Sequence, residues 1–119
     1  RAIDTFLASV TKAAGLPPHR LLFAVDGMRP HIYGARSSQL AAGSYFDLTR
    51  QYFMKQARQG GFEVLDLQPH FVEHFSQHRR PLEFATDNHW NSLRHEVVEE
   101  AIAQSTLYGW FRNLISEGS

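Results

Sequence analysis

The sequence predicts an α/β domain: a parallel sheet with helices packed on it in three layers. Three observations carry this expectation. Residues 20–26 (RLLFAVD) and 62–67 (FEVLDL) are short apolar runs of strand length, closed by polar or turn residues. Each follows an amphipathic segment that ends at glycine, Gly15 in the first case and Gly60-Gly61 in the second. The full order reads α-β-loop-α-β-α-loop-α, the alternation that crossover connections between parallel strands produce.

The elements follow in order. Residues 2–14 place Ile3, Phe6, Leu7 and Val10 at helical spacing, a stripe expected to face the core. Gly15 ends this helix, and Pro17-Pro18 prevent its resumption. The run 20–26 has no polar alternation, as expected of a buried parallel strand. Residues 27–43 hold three Gly, one Pro and two Arg with no clear period, a long loop at the C-terminal end of that strand. Ligands bind at such ends in open α/β sheets, which makes Arg29, Tyr33 and Arg36 candidate contacts; a solvated surface loop is an equal alternative.

Residues 44–59 form the second helix, with Ser44 as N-cap and Asp47 at capping-box distance. Its expected core stripe is Tyr45, Leu48, Tyr52 and Phe53, continued by Gln56 and Ala57. The second strand follows, with Asp66 near its end pointing toward the same edge as Asp26. The helix 69–78 repeats His70, His74 and His78 every four residues, a spacing that permits two of them to chelate a metal. Neither an H-E-x-x-H pattern nor a third-ligand motif accompanies them, and a polar face opposite Phe71 and Phe75 is the preferred reading. Residues 79–86 lead as a loop into the segment discussed below. The helix 92–104 carries Leu93, Val97, Val98, Ala101 and Ile102 as its buried stripe, leaving Arg94, Glu96, Glu99 and Glu100 in solvent. The tail 105–119 holds Tyr108, Trp110, Phe111, Leu114 and Ile115, enough apolar surface to dock as a short helix, with 116–119 frayed.

Composition narrows the function classes. The chain has 119 residues, 43% hydrophobic and 20% charged, ordinary values for one globular domain with one core. Twelve basic and twelve acidic residues cancel, so there is no cationic footprint for nucleic acid or an acidic membrane surface. No apolar run approaches the roughly 20 residues that a membrane-spanning helix needs. With no cysteine there is neither a disulfide nor a thiolate metal site, and bacterial cytoplasm and periplasm stay equally open. No cofactor or metal is expected. The chain starts at Arg1 without Met or leader, and reads as a piece of a longer protein or a processed one.

The chemistry concentrates in Thr86-Asp87-Asn88-His89-Trp90-Asn91. A carboxylate two residues before an imidazole can accept its Nδ1–H and leave Nε2 to face a nucleophile. The plainer reading is helix capping, since Asp, Asn and Ser also gather before helices. The whole string is more specific than a cap. It resembles the closing block of SGNH (GDSL-type) hydrolases, in the branch written D-x-H-W-N-x-x-G-H that includes the alginate-acetylation proteins. Asp87, His89, Trp90, Asn91 and His95 match it, and Arg94 stands where the branch usually has Gly. The segment from Val25 to Tyr33 is weakly similar to the same branch.

The resemblance implies a flavodoxin-like SGNH fold of which this chain is the C-terminal half, a single partial domain over 1–119 with a tail at 105–119. It implies His89 as general base and Asp87 as its orienting carboxylate. Trp90 and Asn91 would hold the loop, with Trp90 also a candidate wall of an acyl pocket. The family's G-D-S nucleophile block is absent, Gly43-Ser44 being the nearest string, and there is no G-x-N-D. The expected function is therefore the His/Asp-supplying portion of a serine-dependent ester hydrolase or O-acyl transferase. Its partners would be an acylated small molecule or acetylated carbohydrate, and the upstream half of its own domain. With few strands and an open edge, the chain alone is expected to be marginally stable or to associate. Rival readings are a non-catalytic SGNH-like glycan- or protein-binding module and, more distantly, a His-rich metal-binding helical module.

Overall fold

A computed structural model describes residues 2–27, 44–82 and 90–118. In chain order these form helix α1 (Ala2–Ala14), a 3-10 turn (Pro18–Arg20), strand β1 (Leu22–Val25), α2 (Tyr45–Gln59), β2 (Glu63–Asp66), α3 (Leu67–His78), α4 (Ser92–Ala103) and α5 (Thr106–Gly118). The class is α/β, mostly helical, with one two-stranded parallel sheet among the described residues. β1 and β2 pair in register Leu22↔Glu63 through Val25↔Asp66. Parallel pairing requires the chain to cross back over the sheet, and α2 lies within that crossover.

Local chemistry accounts for the boundaries. α1 stops at Gly15, whose φ of 69° lies in the left-handed region, and the Gly15 N–H donates to the Thr11 carbonyl at 2.9 Å. Ser44 Oγ accepts the Asp47 N–H at the start of α2. β2 passes into α3 without a loop. Asp66 is both the last strand residue and the cap of the helix, accepting the Gln68 N–H at 3.0 Å. α3 thus begins at Leu67, two residues before the boundary that Pro69 suggests.

Alternate strand residues point to opposite faces, and two apolar clusters use them. Phe23 of β1 meets Phe6 of α1, Phe53 of α2 and Phe62, with ring centroids 5.9, 5.3 and 5.1 Å apart. Leu65 of β2 packs on the main core, in which Leu67, Phe71, Leu82, Val97 and Ala101 are buried. Phe71 and Leu82 are fully enclosed. A fully buried side chain of this kind contributes about 1.5–3 kcal/mol relative to leaving it in water.

The expected α1 stripe is half-buried at Ile3, Leu7 and Val10, and the α2 stripe proves largely exposed. In α1 no residue is buried, and Phe6 is 47% exposed despite its ring contacts. In α2, Tyr45 and Leu48 face solvent, while Asp47, Met54 and Ala57 are the buried positions. The helix is turned so that its inner line carries Asp47, whose carboxylate accepts from Gln51 Nε2 at 2.9 Å. Counting apolar residues missed a polar residue satisfied in place. β1 is also only half-buried, with Ala24 exposed. α5 forms as a helix, but Phe111, Leu114 and Ile115 lie at the surface. It is joined to the sheet by Glu63, whose carboxylate accepts the Thr106 and Leu107 N–H groups at its N-terminus. Arg20 adds its guanidinium 3.6 Å from the Trp110 ring. No helix is long and apolar enough to cross a membrane among the described residues.

These placements separate two phenylalanines. Phe71→Ala should cost about 3–5 kcal/mol in urea unfolding, whereas Phe111→Ala should stay within about 0.5 kcal/mol. Equal losses would contradict the location of the core.

A second prediction concerns the link between α1 and α2. The Tyr52 hydroxyl donates to the Asp4 carboxylate at 2.9 Å. That hydrogen bond, followed by partial burial and the Asp4 charge, raises the phenol above its ordinary 10.0. The unfolded chain ionises Tyr52 first. The stability from this link is therefore complete below pH about 10 and is lost as pH rises through the folded-state value. Ultraviolet titration should show Tyr52 ionising late, and earlier in Asp4→Asn; an unchanged titration in that variant would contradict the link.

Candidate functional site

β2 ends in Asp66 and Asp26 directly follows β1, and this repetition builds the site. Parallel strands present their C-terminal ends on one side, so Asp26 and Asp66 meet there. Two arginines from different helices pair with them. Arg50 of α2 donates through Nε to the Asp26 carbonyl at 2.7 Å and through its terminal nitrogen to Asp66 Oδ1. Arg94 of α4 pairs with Asp26 Oδ1. The same oxygen accepts the Gly27 N–H at 2.7 Å. Gly27 is needed for its size: a Cβ there would stand 2.9 Å from the Gln68 backbone Cα, so only glycine lets the end of β1 pass the first turn of α3.

The pair is lopsided in its exposure. The Arg94 side chain is 4% exposed and that of Asp26 52%. The cation is thus buried while half of its counter-ion remains in water. Aromatic faces compensate for part of the lost hydration. The guanidinium carbon lies 4.3 Å from the Phe71 ring centroid and 4.9 Å from that of Trp90. A planar, weakly hydrated guanidinium suits such a slot, and a lysine ammonium does not. Among the described residues the network sets two guanidiniums against two carboxylates.

Trp90 and Asn91 enter from the same side. The Trp90 ring is half-buried, edge-on to Phe71 at 6.0 Å and to His95 at 5.4 Å. Asn91 is the N-cap of α4, its Oδ1 accepting the Arg94 N–H at 3.0 Å. Its Nδ2 donates to the Pro81 carbonyl at 2.8 Å, and its backbone N–H to the Leu82 carbonyl at 3.1 Å. One residue thus starts α4 and ties it to the chain just after α3. Arg94 follows one turn into the helix, beneath Trp90.

Of the residues that the sequence nominates, Trp90 packs on Arg94, whose guanidinium pairs with Asp26, and Asn91 caps α4. Asp87 and His89 lie outside the described residues, as do Arg29, Tyr33 and Arg36. Arg94 requires a correction. Placed in solvent by its helical position, it is 3% exposed, because Asp26 and two aromatic rings receive it. The available sequence signals were the two aspartates, Asp66 ending β2 and Asp26 directly following β1. His95 is exposed, apart from its contact with Trp90. Ser44, the serine nearest to a nucleophile motif, uses its Oγ as the cap of α2.

The histidines of α3 lie elsewhere. His74 stacks on His78 at 4.4 Å, and His70 and His74 line a cleft of about 340 Å³ with Glu73 and Glu100. No group of three or more His, Asp or Glu side chains able to hold a metal ion is found among the described residues. A larger apolar cleft of about 450 Å³ lies between α5 and the turn before β1, lined by Leu16, Leu22, Ile102, Tyr108 and Trp110.

No family model, curated protein or solved structure matches the chain.

The double duty of Asn91 gives a direct test. Asn91→Ala removes both the cap and the Pro81 bond and should cost about 1–2 kcal/mol. Asn91→Asp keeps the capping oxygen and should lose less. Urea midpoints of the two variants check the order, and a reversal would contradict the capping geometry.

Proposed function

We propose that the chain supplies the His–Asp pair of a serine-dependent ester hydrolase or O-acyl transferase, as the C-terminal half of a three-layer, flavodoxin-like domain of the SGNH kind. The observation that carries this reading is the string Asp87-x-His89-Trp90-Asn91. Its last residue caps a helix, and its tryptophan packs on a side chain that reaches the end of a parallel strand. Open α/β sheets hold their reactive groups at such strand ends.

The chemistry follows from the residue types. His89 Nε2 takes the proton of a serine Oγ as that oxygen bonds to an acyl carbon. The proton then passes to the departing alkoxide as the ester C–O bond breaks. Water or a second hydroxyl afterwards takes the acyl group from the serine, and this choice separates hydrolase from transferase. Asp87 fixes the imidazole tautomer and stabilises the imidazolium. Trp90 holds the loop, since its ring already meets Phe71, Arg94 and His95. The substrate class is an acylated small molecule or acetylated carbohydrate. Within the 119 residues there is no G-D-S block, so the nucleophile and the oxyanion donors come from an upstream half of the domain. Half-exposed β1, Phe6 and Leu16 offer it apolar surface.

A second reading, a non-catalytic glycan- or protein-binding module of the same fold, draws on the missing nucleophile block and on Arg94 at the usual glycine position. Hydrolysis of p-nitrophenyl acetate separates the two. The full-length protein should turn the ester over, and His89→Ala should lower kcat by several orders of magnitude, roughly 10³–10⁴-fold, as for other triad members. The 119 residues alone should be nearly inactive. An inactive full-length protein, or one indifferent to His89, favours the binding module.

A further inference from the structure

The last turns of α3 hold a polar atom that the packing leaves unsatisfied. Nδ1 of His74 is shielded from solvent and has no hydrogen-bond partner among the described residues. Such an atom is costly to keep, and a bound ion is one of the few groups that satisfy it. One helical turn further on, the His78 ring lies against the same imidazole, with centroids 4.4 Å apart and planes tilted by 40°. Histidines at i and i+4 share one helix face, the spacing by which helical zinc motifs supply two of their ligands. A tetrahedral ion bound at about 2.0–2.1 Å by two imidazole nitrogens sets the ring centroids about 5 Å apart. The observed contact is close to that spacing, and rotation about the broad χ2 of each ring is the remaining adjustment.

The surroundings favour a cation. His74 also lines the cleft of about 340 Å³ between α3 and α4, to which Glu73 and Glu100 contribute carboxylates. His78 is the last residue of α3, beside carbonyls that carry the partial negative charge of the helix end. The neighbouring cation, Arg79, has its guanidinium 5.2 Å from the Phe75 ring centroid. We propose that His74 and His78 chelate one late first-row divalent cation, Cu²⁺, Zn²⁺ or Ni²⁺, with water completing its shell. Imidazole suits these ions, whereas Mg²⁺ and Ca²⁺ require oxygen ligands. Among the described residues no third side chain joins the pair, so this is a clip across one helical turn and not a closed structural centre. Two ligands on one rigid face still bind well beyond one, because the second imidazole is held at high effective concentration. His70 lines the cleft but stands outside the chelate. The proposal does not depend on the acyl-transfer reading.

Cu²⁺ alone is the probe, because its spin resonance reports bound imidazole nitrogen. Full-length protein is stripped of metal and dialysed at neutral pH against Cu²⁺ in the tens of micromolar. Wild type should retain the ion and show imidazole-nitrogen modulation in the spin echo. His78→Gln changes an exposed position, where substitution disturbs the fold little. It should release one Cu²⁺ per molecule and remove the matching part of the imidazole signal, and His74→Gln should do the same. His70→Gln should leave both readings unchanged. Circular dichroism checks the fold, and His78→Gln against His70→Gln decides alone if His74→Gln does not fold. Copper retained in His78→Gln, an equal loss in His70→Gln, or a wild type that takes up no copper each overturns the chelate.

Discussion

The pairing of Arg94 with Asp26 is the constraint around which the described structure is arranged. It connects the end of β1 with the first turn of α4, 68 residues later in the chain. Arg50 extends the connection, bonding to the Asp26 carbonyl and to the Asp66 carboxylate. Both strands, α2, α3 through its Asp66 cap, and α4 meet in this one network. Each member is weak evidence for stability alone, because half of Asp26 is solvated and exposed ion pairs contribute little. The network matters for register instead: a guanidinium buried against two aromatic faces tolerates few orientations of the helix that carries it.

The apolar core lies directly beneath. Phe71 supplies one wall of the Arg94 slot and is also the most enclosed aromatic among the described residues. Leu67, Leu82, Val97 and Ala101 complete the cluster and bring α3 and α4 together. The Phe6–Phe23–Phe53–Phe62 group joins the sheet to α1 and α2 more loosely, because three of its four rings retain exposure. The candidate site thus rests on the better-packed cluster. A functional site benefits from such a support, since side chains must be held within fractions of an ångström by neighbours that are themselves fixed.

Much of the local structure was legible in the residues. Ser44 and Asn91 begin helices because their side-chain oxygens accept exposed N–H groups. Gly15 and Gly60 end helices, and the two apolar runs pair as parallel strands. The expectation that Asp26 and Asp66 share an edge also matches the structure, through Arg50. The α4 stripe of Leu93, Val97, Val98, Ala101 and Ile102 faces inward as its spacing suggests, whereas the depth of the charged side chains was illegible. Arg94 was assigned to solvent by its neighbours in sequence, while its partners are 68 and 23 residues away. The α2 stripe was read from apolar content, while the buried line ran through Asp47.

The sequence by itself determined the order and type of the elements, their caps, and the string Asp87-x-His89-Trp90-Asn91 that suggests acyl chemistry. These are short-range properties, set by backbone hydrogen bonding and by side chains within a few residues. The tertiary structure alone decided which faces are buried and that a cation lies under Trp90. Burial of a charge depends on a counter-charge and aromatic surface arriving from distant strands and helices. Periodicity records the average polarity of a helix face, whereas the solvation of one guanidinium is settled by the few groups that replace its water.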